Sequence, residues 1–109
     1  MQKLYIVVRK DLPPGLQAAQ AVHAAFSFAA EHPAETLSWH RESNFVVILN
    51  AVDLTELAMY YARVAHVLHR VIVFEPDIGN QATAFAALGE DAGRMLSPLP
   101  LALRERMMA

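Results

Sequence analysis

Three short runs of this chain are apolar at every position: Leu4-Tyr5-Ile6-Val7-Val8, Phe45-Val46-Val47-Ile48-Leu49 and Val71-Ile72-Val73-Phe74. A strand with one face in water alternates apolar and polar residues, whereas a run apolar at both parities must be covered on both faces. Their β-branched and aromatic content favours strand over helix. The segments between them carry helical periodicity. In residues 16–31, after Pro13, Pro14 and Gly15, the residues Ala18, Ala19, Val22, Ala25, Phe26 and Ala29 form an apolar stripe, and Gln17, Gln20, His23, Ser27 and Glu31 fall on or beside the opposite, polar face.

A second helix opens at Asp53, with Glu56 three residues on in capping-box spacing. Leu54, Leu57, Ala58, Tyr61, Ala65 and Leu68 trace its buried face, and it is expected to end near His69. Thr83-Ala84-Phe85-Ala86-Ala87-Leu88 reads as a short fourth strand, although its alanines suit a helix equally well. The order predicts a small α/β sandwich: a mixed four-stranded sheet with helices on both faces. Residues 1–93 make the domain proper, and residues 94–109 form a tail of the same domain. Pro98 and Pro100 make that tail irregular before a short amphipathic helix over residues 101–108.

With 109 residues, the chain is one domain and buries roughly two thirds of its unfolded surface. Apolar residues make up 55% and charged residues 18%, more apolar than one small core needs, so a homodimer is expected. A net charge of −2 argues against a broad grip on nucleic acid and leaves a local basic patch, Arg9 and Lys10. The absence of cysteine excludes disulfides, thiolate catalysis and Cys-ligated zinc. No apolar run reaches membrane-spanning or signal-peptide length, which makes a cytoplasmic protein the expectation.

Chemistry is expected where the strands end. The first strand runs into Arg9, Lys10 and Asp11, and the third into Glu75-Pro76-Asp77-Ile78-Gly79-Asn80. If these two strands are parallel near neighbours, Asp77 faces Lys10 and Gln20 across one crevice. A carboxylate, a cation and an amide would then surround a pocket beside helix amides suited to an anion. His66 and His69, three apart, could hold a metal, but no cysteine or adjacent carboxylate supports that, and capping of the helix C-terminus is the preferred reading. His32 and His40 are expected in an exposed loop around Pro33. No metal or cofactor is called for.

The same segments resemble the archaeal and eukaryotic type of peptidyl-tRNA hydrolase, of which this chain looks like a divergent, bacterial-like member. The resemblance covers roughly residues 3–89. It rests on Val7-Val8-Arg9 followed by Asp11-Leu12, on Ala18-Ala19-Gln20 continuing to His23-Ala24, on Trp39 before the second strand, on Asp53-Leu54 with Glu56-Leu57, and on Asp77 with Gly79 after the third. It implies hydrolysis of the ester joining a peptidyl or acyl group to tRNA, a homodimer and no cofactor. Asp77, Lys10, Gln20 and His23 are the catalytic candidates, and Arg9, Asp11, Gly79, Asn80, Gln81 and Thr83 the substrate-binding ones. Leu16 stands where the family has a lysine after the helix-opening glycine, Asn80-Gln81 depart from its pattern after the aspartate-glycine turn, and its C-terminal strand is not legible. A non-catalytic module binding tRNA, a nucleotide or a protein is therefore the alternative.

Each candidate also has a plainer role. Asp77 before a turn glycine can bond its own backbone. Gln20 on a polar helix face would be solvated, His23 packed or solvated, and Arg9 and Lys10 a charged strand end or phosphate contacts.

Overall fold

The computed structural model describes residues 2–104. Its elements, in chain order, are β1 (Lys3–Arg9), α1 (Pro14–Glu31), α2 (Pro33–Glu42), β2 (Phe45–Ala51), α3 (Leu54–Arg63), β3 (Arg70–Glu75), a 3-10 turn (Pro76–Ile78), β4 (Gln81–Leu88) and α4 (Glu90–Leu96). The sheet order is β2-β1-β4-β3. β1 and β2 are parallel, and β4 lies antiparallel to both β1 and β3. The expected mixed four-stranded α/β sandwich is therefore what the chain forms.

Alternate residues of β1 feed two cores. Leu4, Ile6 and Val8 pack under α1 with Ala21, Ala24 and Phe28. Val7 packs with Leu57 and Tyr60 of α3, with Val64 just past its end, and with Ala92 and Leu96 of α4. The alanine-rich segment is a strand because it runs through the middle of the sheet: residues 82–88 are all buried, and small side chains admit helices onto both faces.

Four features depart from the sequence reading. The buried stripe of α1 is Gln17, Gln20, Ala21, Ala24 and Phe28, so the face expected to be polar and solvated is the one against the sheet. Val22 and Phe26 point outward, 52% and 72% exposed. Residues 33–42 are a helix, not a loop. Pro33 occupies its first turn, where its fixed φ and missing N–H cost nothing, Glu35 favours the positive helix end, and His40 and Arg41 the negative one.

α3 is capped as read, Asp53 accepting from the Glu56 N–H at 2.9 Å while Glu56 accepts from the Val52 N–H, but it stops at Arg63. Its buried face passes through Leu57, Tyr60 and Val64, and Leu68 is exposed. The cations at its C-terminal end are Arg63, in the last turn, and Arg70, rather than a histidine: the Arg70 guanidinium donates to the Tyr61 carbonyl at 2.6 Å and lies 4.0 Å over the Tyr61 ring.

Gly93 does not open a tail. It lies inside α4, where a Cβ would run into the Tyr5 ring and hydroxyl, so any larger residue would have to displace the Tyr5 side chain that α4 packs on. Beyond it, Leu101 bridges Leu49 while the Asn50 and Ala102 amides donate to the Pro100 and Ile48 carbonyls, a stub of antiparallel pairing that covers the outer edge of β2. Residues 101–104 are not helical, and the remainder of the expected tail helix lies outside the described residues.

Candidate active site

The carboxyl ends of β1, β2 and β3, the start of β4 and the N-terminus of α1 all meet at one end of the sheet. Open α/β sheets bind ligands at such an end. No side chain caps α1 at Pro13, and with Pro14 lacking an N–H and the Gln17 N–H donating to the Pro13 carbonyl, the Gly15 and Leu16 N–H groups are left free there.

Gln20 is 1% exposed and fully engaged. Its carbonyl oxygen accepts from the Thr83 hydroxyl at 2.6 Å, and its amide nitrogen donates to one oxygen of Glu75 at 2.9 Å. The other Glu75 oxygen accepts from the Asp77 N–H at 3.1 Å. These bonds, the Asp77 amide first and Gln20 second, hold the Glu75 carboxyl below the usual carboxylate range, with a smaller contribution from His23. Thr83 reaches α1 because β4 is bulged. Val73 pairs with Ala84 and Phe74 with Ala82, leaving Thr83 as the extra residue. Ala82 and Ala84 accordingly pack into opposite cores. Bulges next to functional sites commonly redirect one side chain in this way.

Gln17 serves the neighbouring loop. Its amide donates to the Leu12 carbonyl at 2.7 Å and its oxygen accepts from Asn50, which also donates to the Val8 carbonyl. A buried asparagine at the end of β2 thereby ties β1, β2 and α1 together.

Arg9 is 7% exposed. It holds Asp11 bidentately at 2.9 and 2.7 Å and donates to Gln81 at 2.8 Å and to the Ala82 carbonyl at 3.1 Å. Four of its five N–H donors are in use, so it staples β1 to β4. The Asp11 hydrogen bond holds the guanidinium charged against its burial, and the same bond lowers the Asp11 carboxyl.

β1 and β3 point the same way, but β4 lies between them. The residue that meets Gln20 across this gap is Glu75, not Asp77. Asp77 sits exposed in the 3-10 turn, which closes through Gly79 and Asn80, both at positive φ. Lys10 and His23 are exposed, and Lys10 has no side-chain partner among the described residues. The fold therefore unites Gln20, Thr83 and Glu75 in one network and Arg9, Asp11 and Gln81 in another, and leaves Lys10, Asp77 and His23 free at the surface. Sequence reasoning missed Gln17, Asn50 and Glu75 as parts of the site. An asparagine closing an otherwise apolar strand and a glutamate just before the turn proline were the available signals.

Two cavities, of about 490 and 480 Å³, lie at the other end of the sheet, beside Lys3 with Tyr5 and beside His69 with Leu88. No helix among the described residues is long and apolar enough to cross a membrane.

Residues 2–87 match the family model described as peptidyl-tRNA hydrolase PTH2. The chain belongs to that family, a family of hydrolases. A search of curated proteins gives no significant match.

Proposed function

We propose that this chain hydrolyses the ester joining a peptidyl or acyl group to the terminal ribose of tRNA. The observation that carries the reading is an exposed cation after β1, Lys10, and an exposed carboxylate after β3, Asp77, at the same end of the sheet as the uncapped start of α1, in a chain of this family. Asp77 would orient or deprotonate the attacking water. Lys10 and the first-turn amides of α1 would stabilise the oxyanion as water adds to the carbonyl. Collapse of that intermediate breaks the bond to the ribose oxygen, which leaves with a proton. Gln20 acts through Glu75 as a positioning residue, Arg9 and Asp11 shape the β1 end, and Gly79, Asn80 and Gln81 offer the β3–β4 side to substrate, with the buried Thr83 supporting Gln20 from beneath.

The assembly that fits is a cytoplasmic homodimer. Ala18, Val22 and Phe26 lie one turn apart on the outer face of α1, an apolar ridge for a second copy. A second reading also has an observation behind it. Leu16 replaces the family lysine, and the strongest donors here, Arg9, Gln17 and Gln20, are already paired within the protein. These features suit a module that binds tRNA without cleaving it. A turnover assay on peptidyl-tRNA beside an Asp77→Ala variant separates the two: cleavage by the wild type that the variant loses supports the hydrolase, and binding without cleavage supports the module.

A further inference from the structure

At the opposite end of α1, roughly 27 Å away for an 18-residue helix, three side chains converge that the proposed reaction does not use. His32 joins α1 to α2, Glu35 is in the first turn of α2, and His69 directly precedes β3. One ligating atom from each of the three lies within 4.8 Å of those of the other two. The Nδ1 atoms of His32 and His69 are 3.3 Å apart.

The outer nitrogen of His32 shows where its proton sits. His32 Nε2 is 3.3 Å from the Arg70 carbonyl oxygen, an acceptor only, so Nε2 carries the proton and Nδ1 a lone pair. His69 Nε2 lies 4.0 Å from a Glu35 oxygen, beyond hydrogen-bonding distance, so either of its ring nitrogens can carry the proton. With the His69 proton on Nε2, two Nδ1 lone pairs face one space and a cation between them relieves their repulsion; with it on Nδ1, His69 donates to His32 instead. A tetrahedral zinc ion with Zn–N bonds of about 2.0–2.1 Å holds two ligand nitrogens about 3.3–3.4 Å apart. The observed separation therefore fits without movement. Backbone carbonyls and carboxylates on the outer nitrogen are also the partners that orient metal-binding imidazoles.

We propose that His32, His69 and Glu35 form a binding site for a divalent transition-metal ion of the zinc class. Glu35 serves as the third ligand or as the partner of the His69 outer nitrogen. The groove of about 480 Å³ lined by His66, His69, Leu88 and Glu90 reaches the site at His69, and the His69 and Glu35 side chains are 29% and 36% exposed. The Arg70 guanidinium, the nearest cation in sequence, is turned away onto Tyr61. Such an ion would pin the α1–α2 junction to the start of β3.

The test uses metal-free protein without added affinity histidines, titrated with zinc by calorimetry and with cobalt by visible absorption. One equivalent per chain is expected, with the spectrum of four-coordinate cobalt and a raised thermal midpoint. Affinity should fall about a hundredfold or more in His69→Ala and His32→Ala, fall roughly tenfold to a hundredfold in Glu35→Gln, and stay unchanged in His66→Ala. Nitrogen NMR of the wild type, which does not depend on any variant folding, should show zinc shifting Nδ1 of His32 and His69 alone. Absence of stoichiometric binding would overturn the proposal, because a shared proton then bridges the rings. So would binding that survives loss of both histidines, or zinc-induced shifts confined to other imidazoles.

Discussion

On α1, the face against the sheet carries Gln17, Gln20, Ala21, Ala24 and Phe28, whereas the face toward solvent carries Ala18, Val22 and Phe26. Burying two glutamines is tolerable only because every polar atom of each is bonded: Gln17 to Leu12 and Asn50, Gln20 to Thr83 and Glu75. Small alanines then let the backbone approach β1 and β4. Hydrophobicity alone thus assigns the two faces the wrong way round. The inversion teaches that an apolar stripe marks a surface to be covered, by this chain's own sheet or by another molecule, while a buried polar stripe marks a framework whose geometry must be held.

The largest effect expected tests whether chemistry belongs to the exposed end of α1 while the buried face only supports it. If Lys10 supplies the cation that Leu16 does not, Lys10→Ala lowers turnover about a hundredfold to a thousandfold, roughly 3–4 kcal/mol of transition-state stabilisation. Leu16→Lys in that background should restore part of it. Wild-type rates at saturating substrate in Lys10→Ala would remove the lysine from the chemical step. A phosphate contact instead weakens binding and lowers its salt dependence.

Next in size is the buried face itself. Gln20→Leu keeps the bulk but strands the Thr83 hydroxyl and takes a donor from Glu75, a loss of about 1–3 kcal/mol in urea unfolding. Ala18→Ser on the outer face should stay within about 0.5 kcal/mol. Equal effects would mean that the two faces are not distinguished as the hydrogen bonds say.

Smaller in energy is the outer ridge. Phe26→Asp should convert a dimer to a monomer in light scattering with the circular dichroism spectrum unchanged. A wild-type monomer at micromolar concentration would leave the ridge to another partner.

How far this was legible in the sequence follows from the same inversion. The three all-apolar runs fixed strand positions because covered strands have no polar parity to confuse, and Asp53 with Glu56 marked the α3 start through local bonds alone. Periodicity in α1 located a helix but not its inward side, since that depends on Thr83 and Glu75, more than fifty residues away in sequence. Pro33 and Gly93 read as breaks because their helical roles come from a first-turn position and from contact with Tyr5. At the site, strand ends were legible while pairings were not: placing Glu75 opposite Gln20 requires β4 to lie between β1 and β3, and no local pattern encodes that insertion. The histidines behaved likewise, His69 meeting His32 and Glu35 rather than its sequence neighbour His66.

The smallest effect expected concerns the ionisation of the buried face's outer partner. Glu75 is held below the usual carboxylate range by the Asp77 amide and by Gln20. A carboxyl lowered in the folded state binds fewer protons there than when unfolded. Its stabilisation is therefore complete above the ordinary value, about pH 4, and disappears as pH falls through the lower folded value. Thermal midpoints of wild type and Glu75→Gln should accordingly differ most at neutral pH and draw together in acid. Residual acid sensitivity in the variant would come from Asp11, which Arg9 lowers in the same direction. Nothing on the outer apolar ridge titrates, so Phe26→Asp should leave the Glu75 contribution in place. A gap between wild type and Glu75→Gln that stays constant from neutral pH into acid would show that Glu75 gains nothing from being charged, and that Gln20 is buried for packing rather than for its bond to that carboxylate.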